Sequence, residues 1–199
     1  MSIDNRDYWT EEAKKRFALV SGVPRAKTNT RKQKQIVSKL THYDFYKKYV
    51  LEIGCGAGTL ATYMMPLEPY MRYVGLDSSS GMAKAASHFG LKVICAESNN
   101  IPIQNDTFDY IFAFDVMEHI PKTSKSKTYT EIDRVLKQNG IMFINNPTSP
   151  SLHSAQVEHD FDIHDLAILC DVCSFKLERI DTIRVNEFNL TSQFMVLTR

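Results

Sequence analysis

Three of the chain's eight glycines stand within five positions, in the run Val50-Leu51-Glu52-Ile53-Gly54-Cys55-Gly56-Ala57-Gly58. They follow an apolar stretch and precede a helix-like one. Glycine at such a junction lets the backbone turn sharply and lets a ligand approach the main chain without a Cβ in the way. A dinucleotide site would show G-x-G-x-x-G with a pyrophosphate on the following helix. Here the spacing is G-x-G-x-G, position 59 is Thr, and Glu52 sits two residues ahead of the first glycine. A carboxylate beside the loop repels a pyrophosphate and suits a ligand that carries an ammonium group. NAD is therefore disfavoured and an aminoacyl nucleoside favoured. A second carboxylate, Asp77, ends the run Tyr73-Val74-Gly75-Leu76-Asp77. It lies about 20 residues past the glycines, where a ribose diol finds a bidentate acceptor. Its competing use is as N-cap of the helix that begins near Ser80, a role for which Ser78 and Ser80 are also available.

With these residues in view, the sequence resembles a class I S-adenosylmethionine-dependent methyltransferase over roughly residues 45 to 198, the E-x-G-C-G-x-G loop being the most specific part. The resemblance implies S-adenosylmethionine as cofactor and S-adenosylhomocysteine as product. It also implies that Gly54, Gly56 and Gly58, with Cys55 between them, line the methionine part, and that Glu52 approaches its amino group. Asp77, with Ser78 beside it, would take the ribose. The segment Ala96-Glu97-Ser98-Asn99-Asn100-Ile101-Pro102-Ile103, ahead of Phe108-Asp109, is similar to the family's G-D-A-x-x-L-P-F, with Glu for the usual Asp and Ala for the Gly. That similarity sets Glu97 and Ser98 against the adenine, and Asp115 is expected among the cofactor-binding residues.

On the acceptor side, a fourth apolar run leads into Phe114-Asp115-Val116-Met117-Glu118-His119-Ile120-Pro121. Polar residues at the carboxyl end of a central strand converge on the ligand crevice of an open α/β sheet. The Asp/Asn-Pro-Pro motif of transferases that act on exocyclic or amide nitrogens is absent, so oxygen is preferred to nitrogen as acceptor. Methyl transfer is a direct displacement in which the protein aligns the partners and excludes water, and a hydroxyl acceptor also needs its proton removed. His119, paired with Glu118, is the candidate base, with His153 and His159 behind it. The competing role for His119 is to start the next helix without touching an acceptor. Asp115-x-x-Glu118-His119 with His159 also resembles the metal-binding segments of small-RNA 2'-O-methyltransferases and of catechol O-methyltransferases of ubiquinone synthesis. That resemblance implies, as the alternative, Mg held by Asp115, Glu118, His119 and His159. The expectation is no metal. A non-catalytic S-adenosylmethionine-binding protein is the rival from another class.

The elements that must position these residues follow from periodicity. Tyr49 to Ile53, Tyr73 to Leu76, Leu91 to Cys95, Tyr110 to Phe114 and Ile141 to Ile144 are short apolar runs, as strands buried on both faces should be. Helical patterns at Thr59 to Met65, Ser80 to His88 and Lys125 to Gln138 alternate with them, the last stopped by Asn139-Gly140. After Pro150 come a helix from Asp162 to Cys173 and two strands, Lys176 to Arg184 and Gln193 to Thr198. The connection between those strands is too short for a parallel crossover, so they should pair antiparallel. Residues 10 to 20 and 31 to 49 look helical. The expectation is an α/β, Rossmann-like fold: a seven-stranded, mostly parallel sheet with a C-terminal antiparallel strand, helices on both faces and an N-terminal helical cap. Residues 1 to 199 should form one domain, with 1 to 48 the cap and 49 to 199 the cofactor-binding core.

Composition sets the outer bounds. With 24 basic and 23 acidic residues among 199, and 43% hydrophobic, the chain is neither a polyanion binder of the histone kind nor disordered. Cys55, Cys95, Cys170 and Cys173 are too few and too scattered for a disulfide scaffold, and no run is long enough to span a membrane, so a cytoplasmic protein is expected. The C-x-x-C pair reads as buried thiols. From Ala13 to Tyr43 there are nine basic residues and no acidic one, whereas residues 96 to 120 hold five carboxylates and no Lys or Arg. A basic cap thus faces an acidic cofactor wall. Such a cap could hold an anionic acceptor, or be a solvated face balanced by acid elsewhere. The partner expected is a small molecule, anionic in one reading, with nucleic acid disfavoured and the chain a monomer or homodimer. Tyr8, Trp9, Phe17, Tyr43, Phe45, Tyr46 and Tyr49 are read mainly as packing of the cap on the sheet.

Overall fold

Side-chain alternation along the central strands decides which helix packs where. The computed structural model describes residues 11, 27–148, 161–184 and 191–199. Its strands are β1 (Tyr49–Ile53), β2 (Arg72–Asp77), β3 (Val93–Cys95), β4 (Phe108–Phe114), β5 (Leu136–Pro147), β6 (Lys176–Arg184) and β7 (Thr191–Thr198). The helices are α1 (Lys27–Leu40), α2 (Thr59–Met64), α3 (Ser80–His88), α4 (Lys122–Val135) and α5 (Ile163–Val172). The seven strands form one sheet in the order β3-β2-β1-β4-β5-β7-β6. β7 runs antiparallel to both β5 and β6, and the other pairings are parallel. This is the expected fold class, hairpin strand included.

On β4, Phe108, Ile111 and Ala113 face one core, and Tyr110, Phe112 and Phe114 face the other. The first face buries Tyr129, Ile132 and Val135 of α4 and Leu166 and Leu169 of α5. The second buries Ile36, Val37 and Leu40 of α1, Leu60, Ala61 and Met64 of α2, and Ala86 of α3. Aromatic rings fill that second face. Phe143 lies 4.7 Å edge-on from Tyr43, 5.6 Å from Phe112 and 6.0 Å from Phe194. Phe45 is fully buried there as expected, whereas Tyr46 and Tyr49 are exposed. Tyr8, Trp9 and Phe17 lie outside the described residues.

Local sequence explains most boundaries and corrects several. Asp162 caps α5 with a capping box to Asp165, as the sequence suggested. The cap of α3 is Ser79, whose hydroxyl accepts from the Met82 N–H, rather than Ser78, Ser80 or Asp77. The helix expected over 31 to 49 ends at Leu40, because an Asx turn from Asp44 to the Tyr46 N–H and a positive φ at Lys47 break it. The helix expected to reach Gln138 stops at Val135. Leu136 turns extended and pairs with Phe108, so Asn139-Gly140 lies inside β5 instead of ending a helix. Cys173 is fully buried with its thiol on the Tyr129 carbonyl, and burial lifts its pKa to about 12. All four cysteines are free thiols, and among the described residues no helix is long and apolar enough to cross a membrane.

Phe143 is the ring through which β5 joins the aromatic face. Truncation to Ala should cost about 3–5 kcal/mol by urea denaturation, and a loss below about 1 kcal/mol would show that the face repacks without it.

Candidate functional site

The parallel register sets Ile53 beside Leu76 and Ala113, so the turns leaving β1, β2 and β4 meet at one edge of the sheet. Gly54, Gly56 and Gly58 adopt φ of 67°, 54° and 76°, the left-handed region that side chains avoid. A Cβ on Gly54 would stand 2.7 Å from the Val116 Cβ, so the end of β4 closes over that residue. At Gly56 an added Cβ meets nothing within 4 Å. The loop therefore opens at its middle glycine. Asp77 holds it there, one carboxylate oxygen accepting from the Gly56 N–H at 2.8 Å and the other from the Ser79 N–H at 2.9 Å. Ser78 is half-buried next to it.

Glu52 lies beneath this loop and is 5% exposed. The Tyr73 hydroxyl donates to it at 2.5 Å. Burial pushes the Glu52 carboxyl up to about 8, the Tyr73 hydrogen bond opposing the rise and the charge of Asp77 adding to it. Burial also pushes the Cys55 thiol up, which removes it as a nucleophile near neutral pH. Cys55 packs instead on Gly75, where a Cβ would be 2.7 Å from its sulfur.

At the carboxyl end of β4, Asp115 has a φ of 53° and its N–H donates to the Asn145 carbonyl. The Lys32 ammonium of α1 reaches its two carboxylate oxygens at 2.5 and 2.6 Å. Asn145 donates to the same carboxylate at 3.1 Å and accepts from the Ser192 hydroxyl at 2.9 Å. A second lysine of α1, Lys39, pairs with Asp181 at 3.0 Å. Two charges of the basic stretch are thus spent on docking α1, while Arg31 and Lys34 remain exposed. Lys14, Lys15, Arg16 and Arg25 lie outside the described residues.

Glu118 and His119 sit on a single 3-10 turn, Met117–His119, that follows Asp115 and Val116. The His119 Nε2 is 3.8 Å from a Glu118 carboxylate oxygen, and both side chains are largely buried. His153 and His159 lie outside the described residues. Among the described residues no group of three or more His, Cys, Asp or Glu side chains is arranged to hold a metal ion. Asp115, a donor in the metal alternative, is engaged by Lys32 and Asn145.

The segment between β3 and β4 carries Glu97 and Ser98. The Glu97 carbonyl accepts from the Asn100 N–H, and the Ser98 hydroxyl lies 3.1 Å from that of Thr128 on α4. Glu97 itself is exposed. Sequence reasoning missed what fixes this loop. Arg134 of α4 donates to the carbonyls of Ile101 and Ile103 at 2.8 and 2.6 Å, and Glu131 accepts from the Ile101 N–H at 2.6 Å. The two side chains also pair with each other at 2.7 Å. Their i, i+3 spacing on a helix was the available signal.

Residues 51–144 match the model of a methyltransferase domain. A magnesium protoporphyrin IX methyltransferase of Synechocystis with bound S-adenosylmethionine superposes with a TM-score of 0.75 at 14% identity, over 99% of this chain and 98% of that one. Residues 51–144 are thus similar to a methyltransferase domain, and the chain shares the fold of an S-adenosylmethionine-dependent methyltransferase. Among curated sequences, this domain is 35% identical over 94 residues to an uncharacterised protein of Methanocaldococcus jannaschii, covering 47% of this chain and 42% of that protein. It is 28% identical over 107 residues to the malonyl-[acyl-carrier protein] O-methyltransferase of Herminiimonas arsenicoxydans, covering 54% of this chain and 40% of that enzyme. The chain thus spans less than half the length of either curated relative.

Two outcomes follow from this geometry. The native state holds the Glu52 proton more tightly than the unfolded chain does, so it binds more protons between about pH 4.5 and pH 8 and loses stability as pH rises through that window. Glu52→Gln mimics the protonated form and should remove this loss, which is on the order of 4 kcal/mol for a shift of this size. Denaturant titrations of both proteins at pH 5 and pH 8.5 measure it, and parallel stabilities would refute it. Separately, Arg134→Leu should speed amide exchange across residues 97–105 by about tenfold or more with β1 and β4 unchanged. Unchanged exchange in the loop would show that Glu131 suffices.

Proposed function

We propose that this chain binds S-adenosylmethionine across the glycine loop and transfers its methyl group to an oxygen of a small-molecule acceptor. The observation that carries the reading is the opening at Gly56. Gly56 is left-handed, a Cβ there would touch nothing, and its N–H is held by a carboxylate at the end of the neighbouring strand, so backbone lies open at the point where the turns of β1 and β2 meet. That cradle fits an aminoacyl nucleoside: backbone is accessible at Gly56, Asp77 puts a carboxylate at the end of β2 where a ribose diol would be read, and Glu97 and Ser98 border the next turn along the sheet edge.

The cofactor, when bound, supplies a methyl group already activated by the sulfonium. The chain's part is to bind, orient and handle one proton. Asp77 accepts from the ribose hydroxyls, and the clamped 97–105 segment forms the wall beyond it. His119 takes the proton of the acceptor hydroxyl, and Glu118 beside it stabilises the imidazolium that forms. That pairing is what favours oxygen over nitrogen, since an amine that attacks through its lone pair needs no base to become nucleophilic. The acidic edge and the basic α1 favour an acceptor of small size with an anionic group. Free thiols at all four cysteines suit a cytoplasmic setting.

Isothermal titration tests the cofactor part. Wild type should bind S-adenosylhomocysteine at micromolar Kd, and Gly56→Ala should weaken this by about tenfold or more at a stability cost of about 1 kcal/mol. Asp77→Ala should weaken it similarly. Undiminished binding in Gly56→Ala would place the ligand elsewhere. Turnover to S-adenosylhomocysteine across hydroxyl and amine acceptors, abolished in His119→Ala for hydroxyls alone, tests the acceptor atom. Retained cofactor with no turnover on any acceptor would leave a binding protein.

A further inference from the structure

The amino edge of the sheet carries an apolar loop that the core does not use. Between α2 and β2 the chain reads Met65-Pro66-Leu67-Glu68-Pro69-Tyr70, and every residue of it except Glu68 is exposed. Leu67 is 56% exposed and Tyr70 62%. Single apolar side chains on a surface need no explanation, but a contiguous group of them marks a binding surface. The loop is firmly held. The Leu67 and Glu68 N–H groups both donate to the Met64 carbonyl at 2.9 Å, and the Met71 N–H donates to the Glu68 carbonyl at 3.0 Å. Met64 and Met71 are buried at its two ends. The segment is therefore a fixed apolar knuckle rather than a piece of core left unpacked.

Aromatic rings and cations frame it. Tyr46, 53% exposed, meets Tyr70 edge-on with ring centres 5.2 Å apart. The Lys47 ammonium lies 5.0 Å over the Tyr46 ring, and the Arg72 guanidinium lies 4.8 Å over the Tyr49 ring, with Lys137 5.6 Å from that same ring. The Arg72 N–H donates to the Lys48 carbonyl at 2.8 Å, which ties the end of the loop to the start of β1. The carboxylates of this region are Asp44, Glu68 and Asp109. Asp109 pairs with Lys137 at 3.0 Å, Asp44 accepts from the Tyr46 N–H at 2.9 Å, and Glu68 is half-buried. Among the described residues neither Lys47 nor Arg72 has a carboxylate partner, so two cations beside the knuckle are left for anions from outside.

We propose that this edge docks on an anionic membrane surface, with Leu67 and its flanking prolines entering the headgroup region, Tyr46 and Tyr70 lying at the interface, and Lys47 and Arg72 meeting lipid phosphates. Tyrosine suits that depth because its ring is apolar and its hydroxyl polar, and long basic side chains keep their heads in water over apolar stems. Single-stranded nucleic acid fits less well. Base stacking needs free ring faces, whereas cations already lie over Tyr46 and Tyr49, and Leu67 and the prolines offer no π-face. β1 runs for five residues from this edge to the glycine loop, about 17 Å. The bilayer and the candidate site therefore lie at opposite edges of the sheet, and docking does not depend on what the glycine loop binds.

The test sediments the full chain with sucrose-loaded vesicles at low salt, made of phosphatidylcholine alone or with about one phosphatidylglycerol in four. Wild type should bind the mixed vesicles, and should bind pure phosphatidylcholine at least about fivefold more weakly. Lys47→Gln should weaken binding to the mixed vesicles by about fivefold and leave binding to pure phosphatidylcholine unchanged. Leu67→Ser and Tyr70→Ser should each weaken binding to the mixed vesicles by about fivefold or more. All three side chains are exposed, so the unfolding midpoints of these variants should match wild type. Absence of co-sedimentation with the mixed vesicles, or binding that Leu67→Ser and Tyr70→Ser both leave unchanged, would overturn the proposal. Capture of a labelled oligothymidine, lost in Tyr70→Ser, by a chain that ignores vesicles would overturn it too, because the surface would then belong to nucleic acid.

Discussion

Asp77 accepts the Gly56 N–H at 2.8 Å and the Ser79 N–H at 2.9 Å, and that one carboxylate ties the turn leaving β1 to the turn leaving β2. The register between β1 and β2 brings Ile53 level with Leu76, which puts the two turns within reach of each other. Charge-assisted bonds to backbone N–H groups are the stronger kind and have little freedom to rotate away. They hold the middle of three alternating left-handed glycines in a geometry that an unsupported chain would sample only occasionally. The ordering cost is met during folding, and a ligand that uses the loop does not meet it again.

That arrangement has an electrostatic consequence. Asp77 sits close enough to Glu52 to raise its pKa further, and burial does the rest. Near neutral pH the glycine loop rests on a largely neutral carboxylic acid rather than on a second anion. The Tyr73 hydroxyl and the Cys55 thiol beside it have pKa values pushed up as well, so the pocket beneath the loop is polar but carries little charge. Charge at this edge is carried instead by Asp77 and by the ion pair at Asp115. The division of labour is physical: neutral polar groups below, where water is absent, and charged groups at the rim, where a ligand can meet them.

Much of the architecture was legible because it depends on period and spacing. Buried strands on both faces read as short apolar runs, and the two C-terminal strands had too little chain between them to be anything but a hairpin. Boundaries were misread where tertiary pairing overrides local pattern. Leu136 continues the helical periodicity of Tyr129, Ile132 and Val135, yet its pairing with Phe108 makes it the first residue of β5. The glycines, Asp77 and the Glu118-His119 pair could be located because each follows a strand at a fixed offset. Lys32 could not. It lies 83 residues from Asp115 in sequence, and nothing in a run of basic residues marks which of them will turn inward. Arg134 had a local signal in its spacing from Glu131, but its targets are carbonyls, which carry no side-chain signature.

The basic N-terminal stretch and the acidic edge that cancel in a net charge of +1 meet at the Lys32–Asp115 ion pair. α1 is joined to the sheet by an apolar stripe, Ile36, Val37 and Leu40, and by ion pairs at Asp115 and Asp181. The stripe is non-directional and would tolerate sliding. The ion pairs fix the register, because each needs its own partner within hydrogen-bond distance. Lys32 differs from Lys39 in its partner, which follows the central strand β4, while Asp181 lies on the edge strand β6. Any ligand that redistributes charge around Asp115 acts on the docking of α1, and any change in α1 acts back on that ligand by the same free energy. The helix that covers the sheet and the turn that leaves β4 are in this way linked through a single side chain.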